Sequence, residues 1–131
     1  MSTRALYGFQ DERGTHWVYV HHDGYPSGAA EKFTITLNSK LAWPRPRIEA
    51  DEFAAAFISA NKTSPGSVRL AHGHESFGDT EYSYEITLAG DQLQLRAWDN
   101  GHQYGMQFFH GKLVDFIANA EKIEKTLSER E

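Results

Sequence analysis

The densest group of side chains able to do chemistry in this 131-residue chain lies between Tyr19 and Gly28. Two histidines, one aspartate and two tyrosines occur there beside two glycines and a proline. Imidazole, carboxylate and phenol groups bind ligands through hydrogen bonds, and imidazole also moves protons near neutral pH. We therefore take His22, Asp23 and Tyr25 as candidate binding residues. The alternative is that the segment is only a well-built connection between a strand and a helix.

The same segment predicts how its backbone turns. Residues 16–22 alternate as a strand, and Asp23-Gly24 is a strong turn signal because glycine adopts positive φ without steric cost. The Ser27 hydroxyl can cap a helix that begins at Gly28. We expect Gly24 to carry the positive φ and Ser27 to cap the helix.

A second group of polar side chains has spacing that permits a metal site. Residues two apart in an extended segment project to the same side, so His72 and His74 could share one metal ion. A carboxylate, Glu75 or Asp79, would complete the set, His22 and Asp23 could join it across space, and an open position would activate water. The alternative is an exposed loop whose side chains point into solvent independently.

Residues 43–47, Trp-Pro-Arg-Pro-Arg, predict an extended loop because the two prolines exclude a helix. Trp43, Arg45 and Arg47 are of the residue types enriched at the energetic centres of protein interfaces. The same side chains could clamp a nucleotide, in a module centred on Tyr25, Arg45 and Arg47. The alternative is that Trp43 fills the core and the arginines are only solvated.

Composition narrows the class of protein. The chain has no cysteine, which excludes disulfides, thiolate nucleophiles and cysteine-ligated metal centres. Its net charge of −5 comes from mixed charges spread along the chain, which argues against a broad nucleic-acid-binding surface. No apolar run approaches the roughly 20 residues that cross a bilayer. Charged residues also stand where a signal peptide has its apolar segment, so we expect a cytoplasmic protein without a membrane partner.

Established catalytic and cofactor-binding motifs are missing from the sequence. It contains no G-x-S-x-G elbow, no phosphate-binding glycine loop followed by lysine, no H-E-x-x-H helix and no dinucleotide fingerprint. We therefore expect no cofactor and assign no catalytic residue.

Hydrophobic periodicity predicts the elements that must position these side chains. The pattern predicts a hairpin over 4–10 and 15–22, a helix over 49–60, a three-strand meander over 82–109 and a closing helix from 113 onward. Residues 29–38 fit both helical spacing and strand alternation. We expect one α+β domain over residues 1–131, with a single antiparallel sheet of about five strands packed against two or three helices.

Two short motifs mark the first thirty residues. Met1-Ser2-Thr3-Arg4 fits the pattern M-x-T-R, and Tyr19–Pro26 fits Y-x-H-x-D-G-Y-P. Through these motifs the chain resembles a group of small proteins from phages, prophages and other mobile genetic elements, and residues 78–84 are similar to a tyrosine-rich strand of that group. The resemblance implies an origin in a mobile element. It implies no chemistry, so no catalytic residue is carried over.

These observations lead to the hypothesis of a small, non-enzymatic binding protein that acts on a host protein or protein complex. Its most concrete form is a counter-defence inhibitor of the anti-CRISPR kind. Two alternatives are a metal-dependent hydrolase using His72, His74 and Glu75, and a nucleotide-binding module that sequesters a signal.

Overall fold

Six strands and three helices make up the computed structural model, which describes residues 3–44, 47–73, 80–88, 92–100 and 105–129. In chain order, the elements are β1 (Ala5–Asp11), β2 (Gly14–Val20), α1 (Pro26–Ser39), α2 (Ala50–Asn61), β3 (Val68–Ala71), β4 (Tyr82–Thr87), β5 (Gln94–Asp99), β6 (Met106–Lys112) and α3 (Leu113–Glu129). The predicted α+β class is confirmed. Within these ranges, no helix has both the length and the apolar character needed to cross a bilayer.

The six strands form one mixed sheet in the order β3-β2-β1-β4-β5-β6. The predicted hairpin (β1 and β2) and meander (β4, β5 and β6) are both present, and β3 adds a sixth strand at the edge. The expectation of a purely antiparallel sheet was wrong at one place, because β1 and β4 pair in parallel, with Ala5 opposite Tyr82. Both strands carry buried aromatic residues and belong at the centre of the sheet, yet the pattern within a strand does not determine the direction of its neighbour.

Residues 29–38, for which the sequence allowed two structures, lie in helix α1. The buried positions Ala29, Ala30, Phe33 and Thr36 follow helical spacing. Ile35 and Leu37, which suggested strand alternation with Phe33, are instead 41% exposed. Burial of one helical stripe against the core therefore decided the structure.

One face of the sheet packs against all three helices. Helix α2 lies on β1 and β2, α3 lies on β5 and β6, and α1 packs between the two other helices. The core is rich in fully buried aromatic rings, namely Tyr7, Phe9, Phe33, Phe53, Phe57, Tyr84 and Phe116. Their edge-to-face and tilted contacts join the sheet to each helix, and one of these rings, Tyr84, also reaches the β2–α1 connection at Gly24.

The turn between β1 and β2 is tied to the start of α2. One Asp11 carboxylate oxygen accepts the Ala50 backbone N–H at 2.9 Å and the other accepts the Arg13 N–H at 2.9 Å. These two bonds lower the pKa of Asp11. Arg13 also pairs with Glu49 and, at 3.4 Å, with Asp51. Asp11 thus satisfies a free N–H of α2 from a distant part of the chain.

Candidate functional site

The connection between β2 and α1 carries the predicted binding residues His22, Asp23 and Tyr25. Asp23 adopts the left-handed conformation, with φ of 58°, and the expectation that Gly24 would do so was wrong. Aspartate tolerates this region better than most residues, although the conformation still costs about 1 kcal/mol or more. Its carbonyl lies where a side chain at Gly28 would stand, since a Cβ built there would be 2.1 Å from the Asp23 oxygen. The corner is therefore held in one conformation by its own sequence.

Gly24 is required for space. A Cβ at this position would lie 2.6 Å from the Ala5 Cβ, at the start of β1. The Gly24 N–H donates to the Thr3 carbonyl at 2.9 Å, and its carbonyl accepts the Tyr84 hydroxyl at 2.7 Å. Burial raises the pKa of Tyr84 well above its usual range, so the hydroxyl stays protonated and keeps donating. These contacts fasten the corner to β1 and β4.

The first turn of α1 is capped by another helix. The chain enters through Tyr25 in an extended conformation, followed by Pro26 in the first turn, where its missing N–H costs nothing. The expectation that Ser27 would be the N-cap was wrong, since Ser27 lies within the helix. Its N–H and its hydroxyl donate to Glu124 Oε1 of α3, at 2.9 and 2.8 Å. The Glu124 carboxylate also suits the positive end of the α1 dipole.

Two of the predicted residues contact each other directly. The Tyr25 hydroxyl donates to Asp23 Oδ1 at 3.2 Å, and burial together with this bond raises the pKa of Tyr25. His22 lies edge-on to the His21 ring, with 4.7 Å between centroids. The structure therefore brings Asp23 and Tyr25 together and places His22 beside them on the exposed side of the corner.

A cleft of about 200 Å³ opens beside this corner, between α1, the end of α2 and β3. His22, Asp23, Glu31, Lys32 and Asn61 supply its polar lining. Burial lowers the pKa of Lys32, while the nearby carboxylates of Asp23 and Glu31 oppose that shift. The cleft thus offers one lysine amine, which burial makes easier to deprotonate, and two carboxylates. These groups can orient a small polar ligand.

Trp43 and Arg47 form the other half of the predicted binding set. The Arg47 guanidinium lies 3.9 Å from the centroid of the Trp43 ring, a cation–π contact. Trp43 is 39% exposed, so it does not fill the core, and its backbone N–H donates to Glu52 Oε1 at 2.9 Å. Arg45 lies outside the described residues.

The two halves of the set lie at opposite ends of α1. The corner is bonded to Thr3, just before β1, whereas Asp11 at the far end of β1 is bonded to the start of α2, close to the Trp43 loop. The seven residues of β1 span about 23 Å. Tyr25 and Arg47 are therefore too far apart to clamp one mononucleotide.

The candidate metal ligands are described only in part. His72 is exposed just after β3, and His74, Glu75 and Asp79 lie outside the described residues. In the part of the chain that is described, no three histidine, aspartate or glutamate side chains group closely enough to hold a metal ion. The β2–β3 register pairs Val20 with Val68 and Trp17 with Ala71, which puts His22 and His72 at opposite ends of that strand pair.

Sequence reasoning missed a basic cleft beside His22. Arg4, Tyr19, His21, His22 and Arg69 line it together with the loop at 65–67, and its volume is about 520 Å³. No single local motif contains all of these residues, because they lie in or beside three strands that only the sheet brings together. The available signal in the sequence was the alternation of residues 16–22, which places Tyr19 and His21 on the same face of their strand.

Comparison of the chain with protein-family models, with curated proteins and with solved structures finds no match.

Proposed function

We propose that this chain is a small binding protein of a phage or other mobile element, which acts in the cytoplasm by occupying a surface of a host defence protein. The motifs of the first thirty residues support the origin. The exposed Trp43–Arg47 pair supports the mode of action and is the observation on which the proposal depends.

The binding surface that we assign consists of Leu37, Leu41, Trp43, Arg47 and Val114. The first three and Val114 are large apolar side chains that remain exposed. Helices α1 and α3 are antiparallel, and they contact each other at Ser27 and Glu124. Leu37 follows Ser27 by as many residues as Val114 precedes Glu124, so Leu37 and Val114 lie at the same end of the helix pair. Exposed apolar residues gathered at one end are typical of an interaction site.

The chemistry of this surface favours a protein partner. Tryptophan is one of the residue types enriched at interface hot spots. Because the Arg47 guanidinium is already stacked on the Trp43 ring, the arginine side chain loses less conformational entropy when a partner binds. Arg47 adds a planar fork that pairs with a carboxylate. We therefore expect a host protein whose apolar pocket accepts Trp43 and whose carboxylate at the rim pairs with Arg47.

Capture from host lysate tests this proposal, combined with phage plating on cells that carry the defence system. Trp43→Ala should weaken capture about 30-fold or more, as expected for loss of a hot-spot indole, and should abolish protection in parallel. Leu70→Ala is the matched control, because Leu70 is 75% exposed on the edge strand β3, away from the surface. The control should retain both capture and protection.

Two results would contradict the proposal. The first is that neither capture nor protection is found with the unaltered protein against a broad panel of defence systems. The second is an equal loss for Leu70→Ala and Trp43→Ala, because the effect would then be general. Thermal unfolding of each variant establishes that the fold is retained.

A further inference from the structure

The basic cleft is distinct from the surface assigned to protein binding. It lies at the corner end of β1, about one strand length from the Trp43 loop. The cleft therefore calls for its own explanation.

The sheet register explains why the basic groups converge. In the β1–β2 pairing, Ala5 faces Val20, so Arg4 and His21 come level one step farther along. In the β2–β3 pairing, Tyr19 faces Arg69, and the His21 N–H donates to the Ser67 carbonyl at 3.0 Å. Alternation puts these side chains on the face opposite the helices, on three neighbouring strands. Two guanidiniums thus flank a tyrosine and a histidine across a width of about 10 Å.

The ionisable groups among the described residues that line the cleft are mostly basic, whereas the whole chain is acidic. The chain carries a net charge of −5, yet the described residues that line the cleft include two arginines and two histidines and no carboxylate. Arginine stays charged at any physiological pH, and its fork matches the oxygens of a phosphate. The Tyr19 hydroxyl and His21 Nδ1 lie 2.8 Å apart, which holds both side chains in place before a ligand arrives.

We propose that this cleft binds the phosphate group of a small phosphorylated molecule. Arg4 and Arg69 would contact the phosphate oxygens from two sides, and the His21 and His22 rings would add donors or a stacking surface. The volume of about 520 Å³ accommodates inorganic phosphate and the phosphate end of a mononucleotide. Binding here does not depend on the protein partner proposed above.

Isothermal titration with inorganic phosphate, AMP and adenosine tests the proposal on the whole chain. Phosphate and AMP should bind saturably, and adenosine, which lacks the phosphate, should not. Arg69→Gln removes an exposed charge and should raise the Kd at least tenfold, in line with the loss of one charge-assisted hydrogen bond. Arg4→Gln should have a similar effect.

Lys125→Gln is the control, because it removes one positive charge from an exposed position on α3. It should leave the Kd unchanged. If AMP binds more tightly than phosphate, the ligand is a nucleotide; equal binding indicates recognition of the phosphate alone, and both results support the proposal. The proposal is overturned if neither probe saturates at about 10 mM, if adenosine binds as well as AMP, or if Arg69→Gln and Lys125→Gln behave alike.

Discussion

Gly28→Ala tests whether the corner is held by close packing of its backbone. Replacing glycine by alanine inside a helix normally stabilises the helix by up to about 1 kcal/mol. Here the added Cβ would lie 2.1 Å from the Asp23 carbonyl oxygen and 2.9 Å from its carbonyl carbon. We therefore expect the sign to reverse, and the protein to become less stable.

The size of the loss in unfolding free energy depends on how far the backbone around Asp23 and Gly28 must move to relieve the contact. Relief of the contact needs a shift of about 1 Å in backbone. That backbone is anchored by the Gly24 bonds to Thr3 and Tyr84, and no flexible side chain can take up the strain. Overpacking of this kind costs about 1–3 kcal/mol, and loss of one anchoring hydrogen bond adds about 1 kcal/mol. After the helix gain is subtracted, we expect a net loss of about 2 kcal/mol.

Thermal and urea unfolding measure this loss directly. For a chain of this size, about 2 kcal/mol corresponds to a fall in Tm of roughly 8 °C. Asn38→Ala is the control, since Asn38 is exposed in the same helix and the change should raise stability by a few tenths of a kcal/mol. Equal or higher stability of Gly28→Ala would refute the argument that the Asp23 carbonyl excludes a side chain at this position.

Two further comparisons probe the anchors by urea unfolding. Tyr84→Phe removes the hydrogen bond to the buried Gly24 carbonyl and should cost about 1–2 kcal/mol, whereas Tyr7→Phe removes a buried hydroxyl without a hydrogen-bond partner among the described residues and should cost nothing. Asp11→Ala should cost about 1–2 kcal/mol, and Glu12→Ala, in the same turn, should be neutral. Folding lowers the pKa of Asp11, so its contribution to the free energy of unfolding is complete above its ordinary pKa of 3.8 and is lost as the pH falls through the folded pKa. The difference in stability between Asp11→Ala and the unaltered protein should therefore shrink below about pH 4.

Local patterns in the sequence predicted the elements but not the contacts between them. The hairpin, the meander and the closing helix follow from alternation and helical spacing, which each segment carries within itself. The cap of α1 could not be found in this way, because Glu124 lies on the last helix and Ser27 offered a nearer candidate. The same limit applied to the helix or strand choice at 29–38, which burial of Phe33 against the sheet decided.

The candidate sites show the same division. The corner was found because His22, Asp23 and Tyr25 are neighbours in the chain. The convergence of Arg4 and Arg69 depends on strand register, which the sequence does not display. Even at the corner, the positive φ fell on Asp23, whereas Gly24 is needed because the close approach of Ala5 leaves no room for a side chain.

The parallel pairing of β1 with β4 has a consequence for how the protein is made. Strand β1 leaves the ribosome before the other five strands of the sheet, but one of its two edges has no partner until β4 has been translated. At about 5–20 residues per second this takes about 4–15 s, during which an aromatic-rich strand edge is open to wrong partners. Assembly of the centre of the sheet is therefore delayed until β4 has been made, and we expect aggregation or assistance by chaperones in the interval before that.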